Sequence, residues 1–162
     1  MLVLSSLKWL LISAIALTLV LLLIGQLGLL AGHRPAALGL KNGALRPPAN
    51  TPNSVTSQIQ ANITPLRYQG AGEAALQRLK TLVSSMPGTT LITSQANYFH
   101  AEFQTPWLKF VDDVECVLGP EPGTIHIRSA SRIGQKDFGV NRARVESIRA
   151  QFEISTGERN HD

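Results

Sequence analysis

The chain is poor in the residues from which most enzyme sites are assembled. Its single cysteine, Cys116, excludes an internal disulfide and a multi-cysteine zinc site. Its four histidines are scattered and form no H-E-x-x-H pattern. There is no G-x-S-x-G elbow for a nucleophilic serine and no glycine-rich phosphate loop. A basic footprint is missing as well. The formal net charge is +4, yet from Pro52 onward 11 Lys and Arg meet 11 Asp and Glu. The whole excess resides in Lys8, Arg34, Lys41 and Arg46. Phosphate-backbone binding needs positive charge on the folded part itself. A nucleic-acid partner is therefore not expected, and no cofactor is expected either.

Charge is also missing from "WLLISAIALTLVLLLIGQLGLLAG", which runs from Trp9 to Gly32 over 24 residues. About 20 apolar residues cross a bilayer as a helix. A cleaved signal peptide has an apolar region of roughly 7–15 residues and a small-x-small exit. This run is longer, "LLAGHRPAA" has no clean exit of that kind, and no cysteine follows for lipidation. The expectation is an uncleaved anchor, residues 1–32, with the lipid bilayer as partner of residues 9–32; the alternative is a long signal peptide that is removed. Lys8 precedes the run and Arg34, Lys41 and Arg46 follow it. That balance leans slightly to a cytoplasmic C-terminal part, whereas a short tail before a signal-like run favours the opposite orientation.

Residues 33–57 are rich in proline and glycine, without periodicity, and read as a solvated linker. A folded domain is expected over 58–155 and a tail over 156–162. Within the domain, 61–68 reads as a short edge strand. "GEAALQRLKTLVSSM" (72–86) places Ala75, Leu76, Leu79, Leu82 and Val83 on one helical face, and Pro87-Gly88 ends it. "TTLITS" (89–94) reads as a strand, and 97–103, 107–118 and 124–131 alternate with period two between turn-forming residues. "NRARVESIRAQFEIS" (141–155) is an amphipathic helix. The order β-α-β-β-β-β-α predicts an α+β fold, a mostly antiparallel sheet with two helices on one face, preceded by the transmembrane helix.

Strand parity sorts the side chains. Phe99, Ala101 and Phe103 share a face with Val114, Cys116, Ile125, Ile127 and Ser129. His100, Glu102, Asp113, Glu115, His126 and Arg128 share the other, which is expected to be solvated. A turn at Thr105-Pro106 would set Glu102 opposite Lys109. A four-residue loop at 119–122 would set Glu115 opposite His126, Asp113 opposite Arg128, and Asp112 opposite Ser129. Each such charge pair contributes about 0.2–1 kcal/mol. Parity puts Asp112 on the apolar face, where a lone carboxylate costs several kcal/mol. Its expected partners are Ser129, Arg132, Asn141 or Arg142, in a structural role that anchors the following loop.

The stretch "IRSASRIGQKDFGVNRARVE" (127–146) gathers Arg128, Arg132, Arg142 and Arg144 around Gly134 and Gly139. Asn141 is a suitable helix N-cap. Cations in the first turn of that helix oppose its dipole and call for a negative partner. Internal carboxylates at Asp112, Asp137 and Glu146 are the favoured source, and an external anion at the helix N-terminus is the alternative. Asp113 and Glu115 share a face with His126 and His100, a conceivable mixed carboxylate–imidazole metal site. Ion pairing with Lys109 and Arg128 is the stronger expectation, so no metal and no catalytic residue is assigned.

"PNSVTSQ", "YFHAEFQT", "KFVDDVE" and "IHIRSASRIGQKDFGVNRARVESIR" together resemble the uncharacterised family catalogued as domain of unknown function fourteen ninety-nine, found in bacteria and plastids. The family's first motif commonly carries cysteine where this chain has Ser54. The resemblance implies no activity. It implies that Asp112, Asp113, Glu115, Arg128, Ser129, Ser131, Arg132, Asp137, Gly139, Asn141 and Arg142 form one ligand-binding or structural cluster, and it tips the orientation outward. The expectation is a non-catalytic, single-pass protein of the bacterial inner membrane, its soluble domain periplasmic, binding a protein partner or an anionic ligand. The alternatives are a metal-dependent hydrolase built on Asp113, Glu115 and His126, and a domain carrying lipid between helices and sheet.

Overall fold

A computed structural model describes residues 2–47 and 52–157. The elements in chain order are α1 (Leu2–Gln26), β1 (Leu40–Lys41), β2 (Ala44–Leu45), β3 (Ser54–Thr56), β4 (Leu66–Arg67) and α2 (Gly72–Ser85). They continue with β5 (Thr89–Ser94), β6 (Tyr98–Gln104), β7 (Val111–Leu118), β8 (Thr124–Ser131) and α3 (Val140–Gly157). Strands β5 to β8 form an antiparallel meander. Strands β3 and β4 both pair with the outer edge of β8. With α2 and α3 packed on one face, this is the α+β architecture that the periodicities predict.

The core lies between that face and the two helices. Leu76, Leu79 and Val83 of α2 and Val145, Ile148 and Phe152 of α3 close over Phe99, Ala101, Val114, Cys116, Ile125 and Ile127. Full burial of one such large side chain contributes about 1.5–3 kcal/mol. The helix stops where Pro87 forbids its continuation. Gly88 follows at φ +75, and a Cβ there would stand 2.4 Å from the Gln104 carbonyl oxygen. Side chains fill the middle of the space between helices and sheet, and at its edge a hollow of about 390 Å³ opens between α2 and the β5–β6 end, lined by Leu76, Lys80, Ser94 and Phe99.

Both expected hairpin registers are corrected, each by an even number of residues. Glu102 faces Asp113 rather than Lys109. Residues 105–110 form a wide loop instead of the start of a strand, with Lys109 at φ 58. Thr105 holds both sides of it: its N–H donates to the Phe110 carbonyl at 2.9 Å, and its Oγ1 accepts from the Phe110 N–H at 3.0 Å. Across the next turn Glu115 faces Arg128, Asp113 faces Ala130, and Asp112 faces Ser131 rather than Ser129. An even slip leaves every side chain on its own face, so the parity assignments survive although the pairings do not.

The charged face is not wet. His100, Asp113, Glu115 and Arg128 are all buried. Their cover is the proline- and glycine-rich segment expected to be a solvated tether. It forms the β1–β2 hairpin, and Leu45 and Leu40 pack on Tyr98 and Val117 in a second, smaller apolar cluster. Its turn uses Gly43 at φ 79, a conformation open to glycine without strain.

α1 is the one helix among the described residues long and apolar enough to cross a membrane, over Ser5–Gln26, and a signal sequence has the same character. Its last turn leans on the domain: a Cβ on Gly25 would stand 2.8 Å from the Leu108 Cα. Gln26 Nε2 also donates to the Trp107 carbonyl at 3.4 Å.

Candidate functional site

Of the eleven residues expected to form one cluster, ten fall into two groups separated by the sheet, and Arg142 joins neither. The larger group lies beneath the β1–β2 hairpin. Glu115, fully buried, accepts hydrogen bonds from the Tyr98 hydroxyl at 2.7 Å and the Gly39 N–H at 2.6 Å. Its other oxygen is ion-paired with Arg128. The same guanidinium donates to the carbonyls of Arg46 at 2.8 Å and Ala37 at 3.3 Å. One pair thus grips the covering segment at three places.

Beside it, Arg132 forks onto Asp113, with Nε 2.8 Å from Oδ2, and also reaches Glu102. His100 Nε2 lies 2.7 Å from Asp113 Oδ1, and Arg34 closes the row with Nε 2.8 Å from Glu102 Oε1. Burial would raise the Asp113 and Glu102 carboxyls. The Arg132 hydrogen bonds, joined by His100 at Asp113 and Arg34 at Glu102, overcome it and hold both below the usual carboxylate range. The same bond to Asp113 raises Arg132 beyond its ordinary value despite burial. Burial, reinforced by the neighbouring Glu115 charge, pushes the Tyr98 hydroxyl far up. Three carboxylates meet three guanidinium groups here, so the group is self-neutralising.

The smaller group occupies the helix side of the sheet, at the start of α3. Asp112 is paired with Arg144 at 2.5 Å, not with Arg132, Asn141 or Arg142. Arg144 also donates to Ser129 Oγ at 3.0 Å and Asn141 Oδ1 at 2.7 Å, and it stacks over the Phe103 ring at 4.8 Å. Asn141 is fully buried and is not the cap. Its amide donates to the Asn53 carbonyl and the Ser131 hydroxyl, each at 2.9 Å. The cap is Asp137, which accepts from the N–H of Asn141 at 2.8 Å and of Gly139 at 3.2 Å. Those bonds outweigh its partial burial and depress its carboxyl. Gly139 supplies the φ +84 that turns the chain into the helix. Arg142 belongs to neither group and donates outward to the Asn62 carbonyl at 2.9 Å. Asp112 and Asp137 supply the negative charge that the first turn of α3 requires.

A family model described as "Protein of unknown function (DUF1499)" matches residues 44–152. The chain belongs to that family. No curated protein and no solved structure matches it. The DUF1499 match begins in β2 and ends at Phe152 in α3, so half of the covering hairpin falls inside it and α1 falls outside.

Sequence reasoning missed Arg34 at the larger of the DUF1499 charged groups and Asn53 at the smaller, whereas the Arg144–Asp112 pair is one of the internal pairings expected for the first turn of α3. His100 and Glu102 were legible from parity with Asp113. Asn53 carries only the hint of its place in the "PNSV" motif, and Arg34, 68 residues from Glu102, carries no local signal at all. His100, Glu102 and Asp113 bring donor atoms within 4.8 Å of one another, the spacing of a cation site. The guanidinium of Arg132 holds two of those carboxylates, so a cation there would compete with it. His126, assigned to the hydrolase alternative, is engaged elsewhere, with Nδ1 3.2 Å from Ser57 Oγ and Nε2 3.8 Å from Glu121.

Proposed function

We propose that the protein is a non-catalytic, single-pass protein of the bacterial inner membrane. Its DUF1499 domain is held at the periplasmic surface and binds a partner or anionic ligand beside the bilayer. One observation carries this reading: the chain leaving α1 is built into the domain rather than tethering it. Gly25 and Gln26 touch the 105–110 loop, Arg34 is clamped by Glu102, and Gly39, Ala37 and Arg46 are held by the Glu115–Arg128 pair. A removable signal peptide has no need of such seating. The non-catalytic part of the reading is supported by pairing. A general base or nucleophile must be free to meet a substrate proton or carbon, and these buried carboxylates are each committed to a guanidinium.

The test is topological. Ala74, exposed on α2, is replaced as Ala74→Cys, and native Cys116 is buried and silent. In spheroplasts the new thiol reacts with a membrane-impermeant maleimide, and the membrane fraction carries the full-length mass. Labelling only after the inner membrane is lysed, or a shortened soluble product, refutes the assignment.

A further inference from the structure

The loops nearest the end of α1 carry apolar side chains that the domain itself does not use. Trp107 is 72% exposed, Phe138 96%, Val140 49% and Ile133 42%. Scattered exposed apolar residues mean little, but a contiguous group marks a contact surface. Three of them are contiguous: Ile133, Phe138 and Val140 line one hollow of about 320 Å³ together with Phe110 and Lys136. Phe110 belongs to the same loop as Trp107. Two of the non-glycine residues with positive φ lie on this rim, Lys109 at 58 and Phe138 at 52. A bulky side chain seldom adopts that conformation, and such strain gathers at functional segments.

The position of the rim relative to the membrane follows from α1. The apolar stretch Ser5–Gln26 has 22 residues, a length of about 33 Å against a hydrocarbon thickness of about 30 Å. Gly25 and Gln26 therefore stand at one boundary of the bilayer, and the Leu108 and Trp107 backbone lies directly against them. Gly32 is packed in turn on Arg132 and Ile133, where an added Cβ would stand 2.8 Å from Arg132 Cβ. Tryptophan is the residue enriched at that depth, and flanking lysines suit anionic headgroups.

We propose that this rim is a membrane-contact surface. Trp107 and Phe138 bed in the interfacial layer of the bilayer that α1 crosses, and Lys109 and Lys136 meet its anionic headgroups. The inference rests on α1 remaining as an anchor, and it identifies the anionic partner beside the bilayer as the lipid itself.

The test uses the full chain in phosphatidylglycerol-containing vesicles whose acyl chains are brominated near the headgroup. The protein has two tryptophans, so Trp9→Phe leaves Trp107 as the sole reporter and Trp107→Phe leaves Trp9. In a chain lacking both, Phe138→Trp reports the second aromatic. The expected result is that Trp107 and the residue-138 reporter lose most of their emission to bromolipid and are shielded from aqueous iodide. If Trp9 is quenched by bromolipid while Trp107 stays open to iodide, the anchor stands and the seated rim is overturned. Shielding from iodide without bromolipid quenching assigns the rim to a protein partner or a second copy and overturns it equally. If Trp9 itself escapes bromolipid, the anchor reading fails first.

Discussion

Removing the Glu115 carboxylate is the sharpest test of how the domain is held together. Glu115→Ala strips the counter-charge from Arg128, which is 4% exposed, and leaves the Tyr98 hydroxyl and the Gly39 N–H without their acceptor. Breaking a buried ion pair from one side costs about 3–5 kcal/mol. Each orphaned donor costs about 1–3 kcal/mol more if nothing replaces its acceptor. The space vacated by the side chain admits water, and the Arg46 and Ala37 carbonyls still hold Arg128, so these terms do not add in full. The expected loss is about 4 kcal/mol, a large share of a domain's total of about 5–15 kcal/mol. For about 100 residues that lowers Tm by roughly 15–30 °C, measured on the full chain in detergent by circular dichroism of the sheet. Hydrogen exchange at the Gly39 amide should accelerate with it, because the same carboxylate pins the covering segment. Adding Arg128→Met removes the stranded charge and should restore at least half of the loss, since an apolar replacement of a whole buried pair is often neutral. A Glu115→Ala protein within about 1 kcal/mol of the parent would show that the pair does not carry the assembly.

Asp112→Ala strands Arg144 and should cost about 2–4 kcal/mol in the same assay, and Arg142→Glu, at an exposed guanidinium, should cost far less. Asp113, Glu102 and Asp137 all have carboxyls held below their ordinary values. Their stabilisation is therefore complete above the unfolded values of about 3.9–4.3 and is lost as the pH falls through the folded ones. A Tm flat from neutrality to about pH 5 and falling steeply below about pH 4 is expected, and a maximum below pH 4 would contradict the assignment. Cys116 is fully buried, and burial raises its thiol well above the ordinary value. Iodoacetamide should label it only at the rate of unfolding, and rapid labelling of the native protein would refute its placement.

Local pattern was sufficient for much of this. Alternation at 97–103 and 124–131 and the 3.6-residue stripes of α2 and α3 name the elements and their inward faces, because periodicity is a property of a few consecutive residues. Pro87-Gly88 marks its helix end for the same reason. The register was not legible: whether Glu102 meets Lys109 or Asp113 depends on how many residues the intervening loop absorbs, and Thr105 closing on Phe110 is a tertiary outcome. The candidate site divides along the same line. Parity brought His100, Glu102, Asp113, Glu115 and Arg128 to one side, yet it assigned that side to water.

The sequence alone determined the apolar length of α1, the two amphipathic helices, the sorting of charges to one face, and the charge balance from Pro52 onward. Only the tertiary structure decided that the face is covered, that its ions are satisfied from Arg34 to Arg132, and that the exit of α1 is seated on the domain. The physical reason is distance along the chain. Apolar periodicity is written within a dozen residues, whereas Arg34 meets Glu102, and Arg46 meets Arg128, only after the whole sheet has formed.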